Sequence, residues 1–75
     1  MNIQNLRYLL EIAQQGSVTS AAKVLYLSQP RLSKILAETE QKYGVAIFKR
    51  ENNGLTPTEG GQIFLKMTRD IVEEA

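Results

Sequence analysis

The stretch from Ser28 to Lys34 reads Ser-Gln-Pro-Arg-Leu-Ser-Lys and carries most of the directional chemistry in this sequence. Its side chains match the edges that a nucleic-acid duplex shows in its major groove. The Gln29 amide can pair with adenine N6 and N7, and the Arg31 guanidinium with guanine O6 and N7. The Ser33 hydroxyl suits several base edges, and the Lys34 ammonium suits phosphate or guanine. Ser28 and Pro30 mark the start of a helix, one as N-cap and the other in the first turn, where a missing N–H is harmless. The helix N-terminus they create adds free backbone N–H groups and a positive dipole end, both suited to a phosphate.

Other chemistries have little to work with. The chain has no His and no Cys, which removes the usual zinc ligands, the thiolate nucleophile and the imidazole base. Glu38 and Glu40 are two apart and do not face each other on a helix, and Asp70, Glu73 and Glu74 read as solvated surface. An enzyme is therefore not expected, nor a metal or cofactor. The net charge is only +1, but six cations (Lys23, Arg31, Lys34, Lys42, Lys49, Arg50) stand against two anions between Lys23 and Arg50. That segregation fits a polyanion-binding face on a chain of near-neutral balance.

These residues need elements to hold them. After Asn2, an N-cap, Ile3, Leu6, Leu9, Leu10 and Ala13 recur at helical spacing up to Gly16, so a helix is expected over 3–15. Ser17 caps a second, short helix carrying Ala21, Ala22 and Leu25, whose small alanines allow another helix to cross closely. The third starts at Ser28, buries Leu32, Ile35 and Leu36, and stops near Tyr43, because Gly44 suits a left-handed helix end. The period then changes. Val45 to Arg50 and Leu55 to Pro57 flank Asn52-Asn53-Gly54, a hairpin signal resting on the Asn-Gly pair. Pro57 confines its strand to an edge, and Thr58 with Glu59 opens a fourth helix. The fold expected is mainly α: a winged helix-turn-helix of three helices, a short β-hairpin wing and a C-terminal linker helix. Residues 1–58 form the winged domain and 59–75 the linker or dimerisation helix. In this arrangement Leu25 and Leu27 bury the turn, Leu32 and Ile35 lock the third helix, and the face with Gln29, Arg31, Ser33 and Lys34 is free for DNA. The wing would place Arg50, helped by Lys49 and Asn53, on the phosphate backbone or in the minor groove.

The run Gly16-Ser17-Val18-Thr19-Ser20-Ala21-Ala22, then Leu25, Leu27-Ser28-Gln29-Pro30, Leu32-Ser33 and Ile35, closely resembles the N-terminal DNA-binding domain of LysR-type transcriptional regulators. Glu40, Gly44, Ile47-Phe48, Arg50, Gly54-Leu55, Thr58 and Gly61 continue the match through that family's wing and linker helix. The resemblance implies a bacterial, cytoplasmic regulator that binds an inverted-repeat operator in double-stranded DNA as a homodimer. It also implies an effector domain following this segment, through which alone a small molecule would act. The family usually has a small residue where Arg31 stands and an arginine where Asn53 stands. Pro57 and Gly60 replace its common leucine and alanine, changes expected to soften the hairpin end and the first turn of the fourth helix. Tyr26 occupies the turn position where phage-type repressors place glycine, so a less sharp turn is expected here.

In the fourth helix Ile63, Phe64, Met67 and Ile71 share one stripe, and Leu65 and Val72 lie roughly opposite. The first stripe is expected to cover the core. Leu65 and Val72 are then the expected dimer seam. No apolar run approaches the roughly 20 residues of a membrane span, so no membrane partner is expected. The competing reading is a winged-helix protein-protein interaction module, which would call for an apolar or mixed-charge face in place of the Gln29, Arg31, Ser33, Lys34 set.

Overall fold

A computed structural model describes residues 2–74. Its elements are α1 (Ile3–Gln15), α2 (Val18–Leu25), α3 (Gln29–Tyr43), β1 (Phe48–Glu51), β2 (Gly54–Pro57) and α4 (Glu59–Glu74). The helix starts follow the capping residues. Asn2 Oδ1 accepts from the Asn5 N–H at 2.8 Å, Ser17 Oγ from Ser20 at 3.1 Å and Ser28 Oγ from Arg31 at 3.2 Å. Leu9, Ile12, Ala21, Ala22, Leu32, Ile47, Phe48 and Leu65 form one buried cluster shared by all the helices and the wing's first strand. Ala21 and Ala22 bring α2 close to its neighbours, since they add almost no bulk to the crossing.

All three helices before the wing end in a left-handed residue. Gly16 and Gly44 close α1 and α3, but α2 closes on Tyr26 at φ 58° and ψ 39°. The relaxed turn expected from an aromatic residue is therefore not found. Tyr26 takes the left-handed conformation, its N–H bonding to the Ala22 and Lys23 carbonyls, and the turn is as tight as a glycine would make it.

The hairpin also departs from expectation in one detail. β1 and β2 pair antiparallel with Glu51 opposite Gly54 and Phe48 opposite Pro57, leaving a two-residue turn. Asn52 (φ 52°) and Asn53 (φ 64°) supply the positive φ values, not Asn53 and Gly54. Two central residues with positive φ give the primed turn that matches strand twist. Gly54 is needed for a different reason. A Cβ there would lie 2.9 Å from the Gly16 carbonyl oxygen, which accepts the Leu55 N–H at 2.8 Å. The returning strand is thus pinned to the α1–α2 turn.

Two further tethers fix the wing. Glu40 on α3 accepts the Ile47 N–H at 2.7 Å and the Phe48 N–H at 3.4 Å through one carboxylate oxygen. Thr58 caps α4 by accepting the Gly61 N–H at 2.8 Å, and its hydroxyl donates to the Ala46 carbonyl. Gly61 sits against Ile47 so closely that a Cβ would fall 1.9 Å from the Ile47 carbonyl oxygen. Helix and strand entry are in backbone contact.

Of the stripe on α4 expected to cover the core, only Phe64 packs against it, and otherwise the faces are reversed. Gly61, Leu65 and Thr68 are buried, whereas Ile63, Met67 and Ile71 are 63%, 59% and 50% exposed. Leu65 is therefore a core residue with partners inside its own chain, and Val72 on the same side is half-buried. Counting apolar residues placed the larger group inside. The small Gly61 and the self-satisfied Thr68, whose hydroxyl donates to the Phe64 carbonyl at 2.8 Å, decide the matter by allowing the closest approach.

Candidate nucleic-acid interface

Three elements bring polar side chains to one shallow cleft of about 130 Å3. Ser17 and Thr19 arrive from the start of α2, Gln29 and Ser33 from α3, and Arg50 and Asn53 from the wing. Each position follows from local rules. Ser28 and Pro30 start α3 so that Gln29 and Ser33, four apart, share a face, and Gln29 Nε2 donates to Ser33 Oγ at 2.6 Å. Strand alternation turns Phe48 inward and Arg50 to the same side, facing α3. The left-handed turn, anchored through Leu55, brings Asn53 over the start of α2.

Gln29, Ser33, Arg50 and Asn53 are thus united, and the remaining proposed contacts are not. At about 100° per residue, Pro30 and Lys34 point away from the core-facing Leu32, while Arg31 lies on the flank of α3 opposite Gln29. All three are exposed and line no part of the cleft. Ser28 is exposed with its oxygen engaged as a cap. Lys49 lies on the other face of β1, where its ammonium is 3.3 Å from the Glu51 carboxylate. Glu51 also accepts the Thr56 hydroxyl at 3.0 Å. The Thr56 hydrogen bond and the Lys49 charge together hold its carboxyl below the usual carboxylate range. Arg31, Lys34 and Arg50 make no ion pair among the described residues, so their charges face outward uncompensated.

Sequence reasoning missed Thr19 and treated Ser17 only as a cap. The available signal was geometric, since a helix-turn-helix that crosses at Ala21 and Ala22 carries the N-terminal turn of α2 toward that of α3. The cleft offers hydroxyl, amide and guanidinium groups and no carboxylate. It is built to donate hydrogen bonds to an anionic, acceptor-rich surface.

Comparison with known proteins gives the same picture. The profile of "Bacterial regulatory helix-turn-helix protein, lysR family" matches residues 3–62. The regulator BsdA of Bacillus subtilis is 42% identical over 73 residues, which is 96% of this chain and 25% of that protein. TdcA of Escherichia coli K12 is 41% identical over 71 residues, 95% of this chain and 23% of TdcA. The chain thus spans about a quarter of the length of these relatives, which carry the names of regulators and not of enzymes. Among solved structures, the CbnR DNA-binding domain in complex with DNA superposes with a TM-score of 0.90 at 33% identity, over 97% of this chain and 84% of that one. The BenM domain bound to its catB site gives 0.92 at 26% identity, over 99% and 80%. Fold, wing and sequence agree: the chain is a winged helix-turn-helix that belongs to the LysR family of bacterial regulatory helix-turn-helix proteins.

Proposed function

We propose that this chain is the sequence-specific DNA-binding domain of a bacterial transcriptional regulator, with α3 entering the major groove and the wing on the flanking backbone. The observation that carries this reading is the cleft where Ser17, Thr19, Gln29, Ser33, Arg50 and Asn53 converge from three elements. A helix-turn-helix reads bases with the start of its second helix while neighbouring groups hold phosphates. In this reading Gln29, Pro30, Arg31, Ser33 and Lys34 face base edges or the strands beside them. Ser28 starts the helix, and Arg50 and Asn53 grip the backbone with Lys49 in a lesser role because of its ion pair. The likeness to the CbnR and BenM domains, both seen with DNA, supports it.

The domain acts as a two-fold dimer on an inverted repeat. The motive is the exposed stripe of Ile63, Met67 and Ile71 on α4, in place of the expected Leu65 and Val72. A small-molecule effector, where one operates, acts through parts of the protein outside these residues, since the relatives are about four times as long. The test is selection of bound duplexes from a random pool with the 75-residue chain. Enrichment of an inverted repeat is expected, and a pool that stays random overturns the reading.

A further inference from the structure

We infer that Tyr26 is an additional contact to the DNA backbone, lying beside the start of the recognition helix; this rests on the function proposed above. Three helices of this fold end in the left-handed conformation, and two of them use glycine for it. At the third, a tyrosine holds φ 58° with its side chain 96% exposed. Left-handed backbone is unfavourable for any residue with a Cβ, and more so for a bulky one. The hydrogen bonds of the Tyr26 and Leu27 N–H groups to α2 carbonyls hold this backbone and would hold a glycine equally well, whereas the ring itself touches almost nothing in the domain. A side chain that adds strain and has no internal contact to offset it points to an external one.

The position says what that contact is. Tyr26 stands two residues before the Ser28 cap, so its Cα lies within about 7.6 Å of the Ser28 Cα along the chain. Around it Lys23, Ser28, Gln29, Pro30 and Arg31 are all exposed, with two cations and no carboxylate among them. With the start of α3 in a major groove, the turn that carries Tyr26 lies towards a flanking sugar-phosphate strand. A phenol is suited to it: the ring packs on deoxyribose, and the hydroxyl donates to a phosphate oxygen. Such a contact positions the helix without reading sequence.

The experiment compares the wild-type chain with Tyr26→Gly and Tyr26→Phe, measuring thermal midpoint and affinity for selected and scrambled duplexes. Tyr26→Gly is expected to melt about 4–8 °C higher as the strain is relieved, while binding both duplexes roughly tenfold more weakly. Tyr26→Phe keeps the strain and the ring, so its midpoint is unchanged and its affinity falls part of the way. The salt slope stays constant in both, because no cation is removed. A Tyr26→Gly chain that binds as well as wild type overturns the contact, and one that melts below wild type overturns the strain from which the contact is inferred. Failure of the wild type to bind any duplex is a separate result, which sinks the proposed function.

Discussion

Arg50 and Lys49 are neighbours on one strand with opposite prospects. Arg50 lines the cleft with its charge uncompensated, whereas Lys49 faces away and is paired with Glu51 at 3.3 Å. An exposed pair of this kind contributes little to stability, but it lowers the charge that Lys49 can offer a phosphate. Arg50→Ala is therefore expected to flatten the slope of log affinity against log salt by about 0.9 per protomer. Glu51→Gln should act in the other direction, tightening binding and steepening the slope as Lys49 is released. A titration of affinity from low to high salt checks both, and equal slopes in all three chains would remove the wing from the phosphate contacts. On α3 the expectation differs in kind. Ser33→Ala removes the acceptor of the Gln29 amide as well as its own hydroxyl, so preference at particular base pairs should fall by about 1–3 kcal/mol while helicity is kept. Loss of the same size on every sequence would make Ser33 a backbone contact.

At the scale of elements, most of the chain was readable because each signal was local. Asn2, Ser17 and Ser28 cap the helices they announce, and Gly16 and Gly44 end them. What was not readable depends on approach between distant segments. The hairpin was visible in Asn52-Asn53-Gly54, but its turn lies one residue earlier because Gly54 must pass the Gly16 carbonyl oxygen. The left-handed conformation of Tyr26 is not legible from its residue type, since the hydrogen bonds that close α2 override its own preference. Within the site, Gln29 and Ser33 were legible from helical spacing. Their meeting with Thr19 and Arg50 was not, as it depends on the Leu55 to Gly16 and Glu40 to Ile47 hydrogen bonds. Those tethers can be broken separately. Gly54→Ala forces a Cβ to 2.9 Å from the Gly16 oxygen and should destabilise the domain by about 1–3 kcal/mol. Glu40→Ala leaves the Ile47 and Phe48 N–H groups without their carboxylate, a loss of about 1.5–3 kcal/mol. Chemical denaturation measures both, and a Gly54→Ala chain as stable as wild type would mean that the wing is not pinned to the α1–α2 turn.

For the whole molecule, the orientation of α4 determines how two copies can meet. Leu65 belongs to the buried core cluster, so a charge there would unfold the domain and report nothing about association. Ile63, Met67 and Ile71 project from the opposite side of the same helix and leave a strip of apolar surface along it. A chain of this length buries only about 60% of its unfolded surface and gains more than a larger one from covering such a strip. A two-fold axis is the simplest way to do so, because the same strip then meets itself and the pair closes without exposing a further surface. In the dimer proposed above both α3 helices would lie on one side of a duplex, which is why an inverted repeat is expected. Folding and association would be linked, so the thermal midpoint should rise with protein concentration. Met67→Lys with Ile71→Lys places two charges on the strip while leaving Gly61, Leu65 and Thr68 in place. That chain should sediment as a monomer with unchanged helicity, lose the concentration dependence of its midpoint, and bind an isolated half-site about as well as wild type but the full repeat more weakly. Leu65→Ala should instead lower stability by about 2–5 kcal/mol through the cavity it leaves. A double-lysine chain that remains dimeric would place the association surface elsewhere, on the groove between α1 and α4 that Leu10, Ala13 and Val72 line.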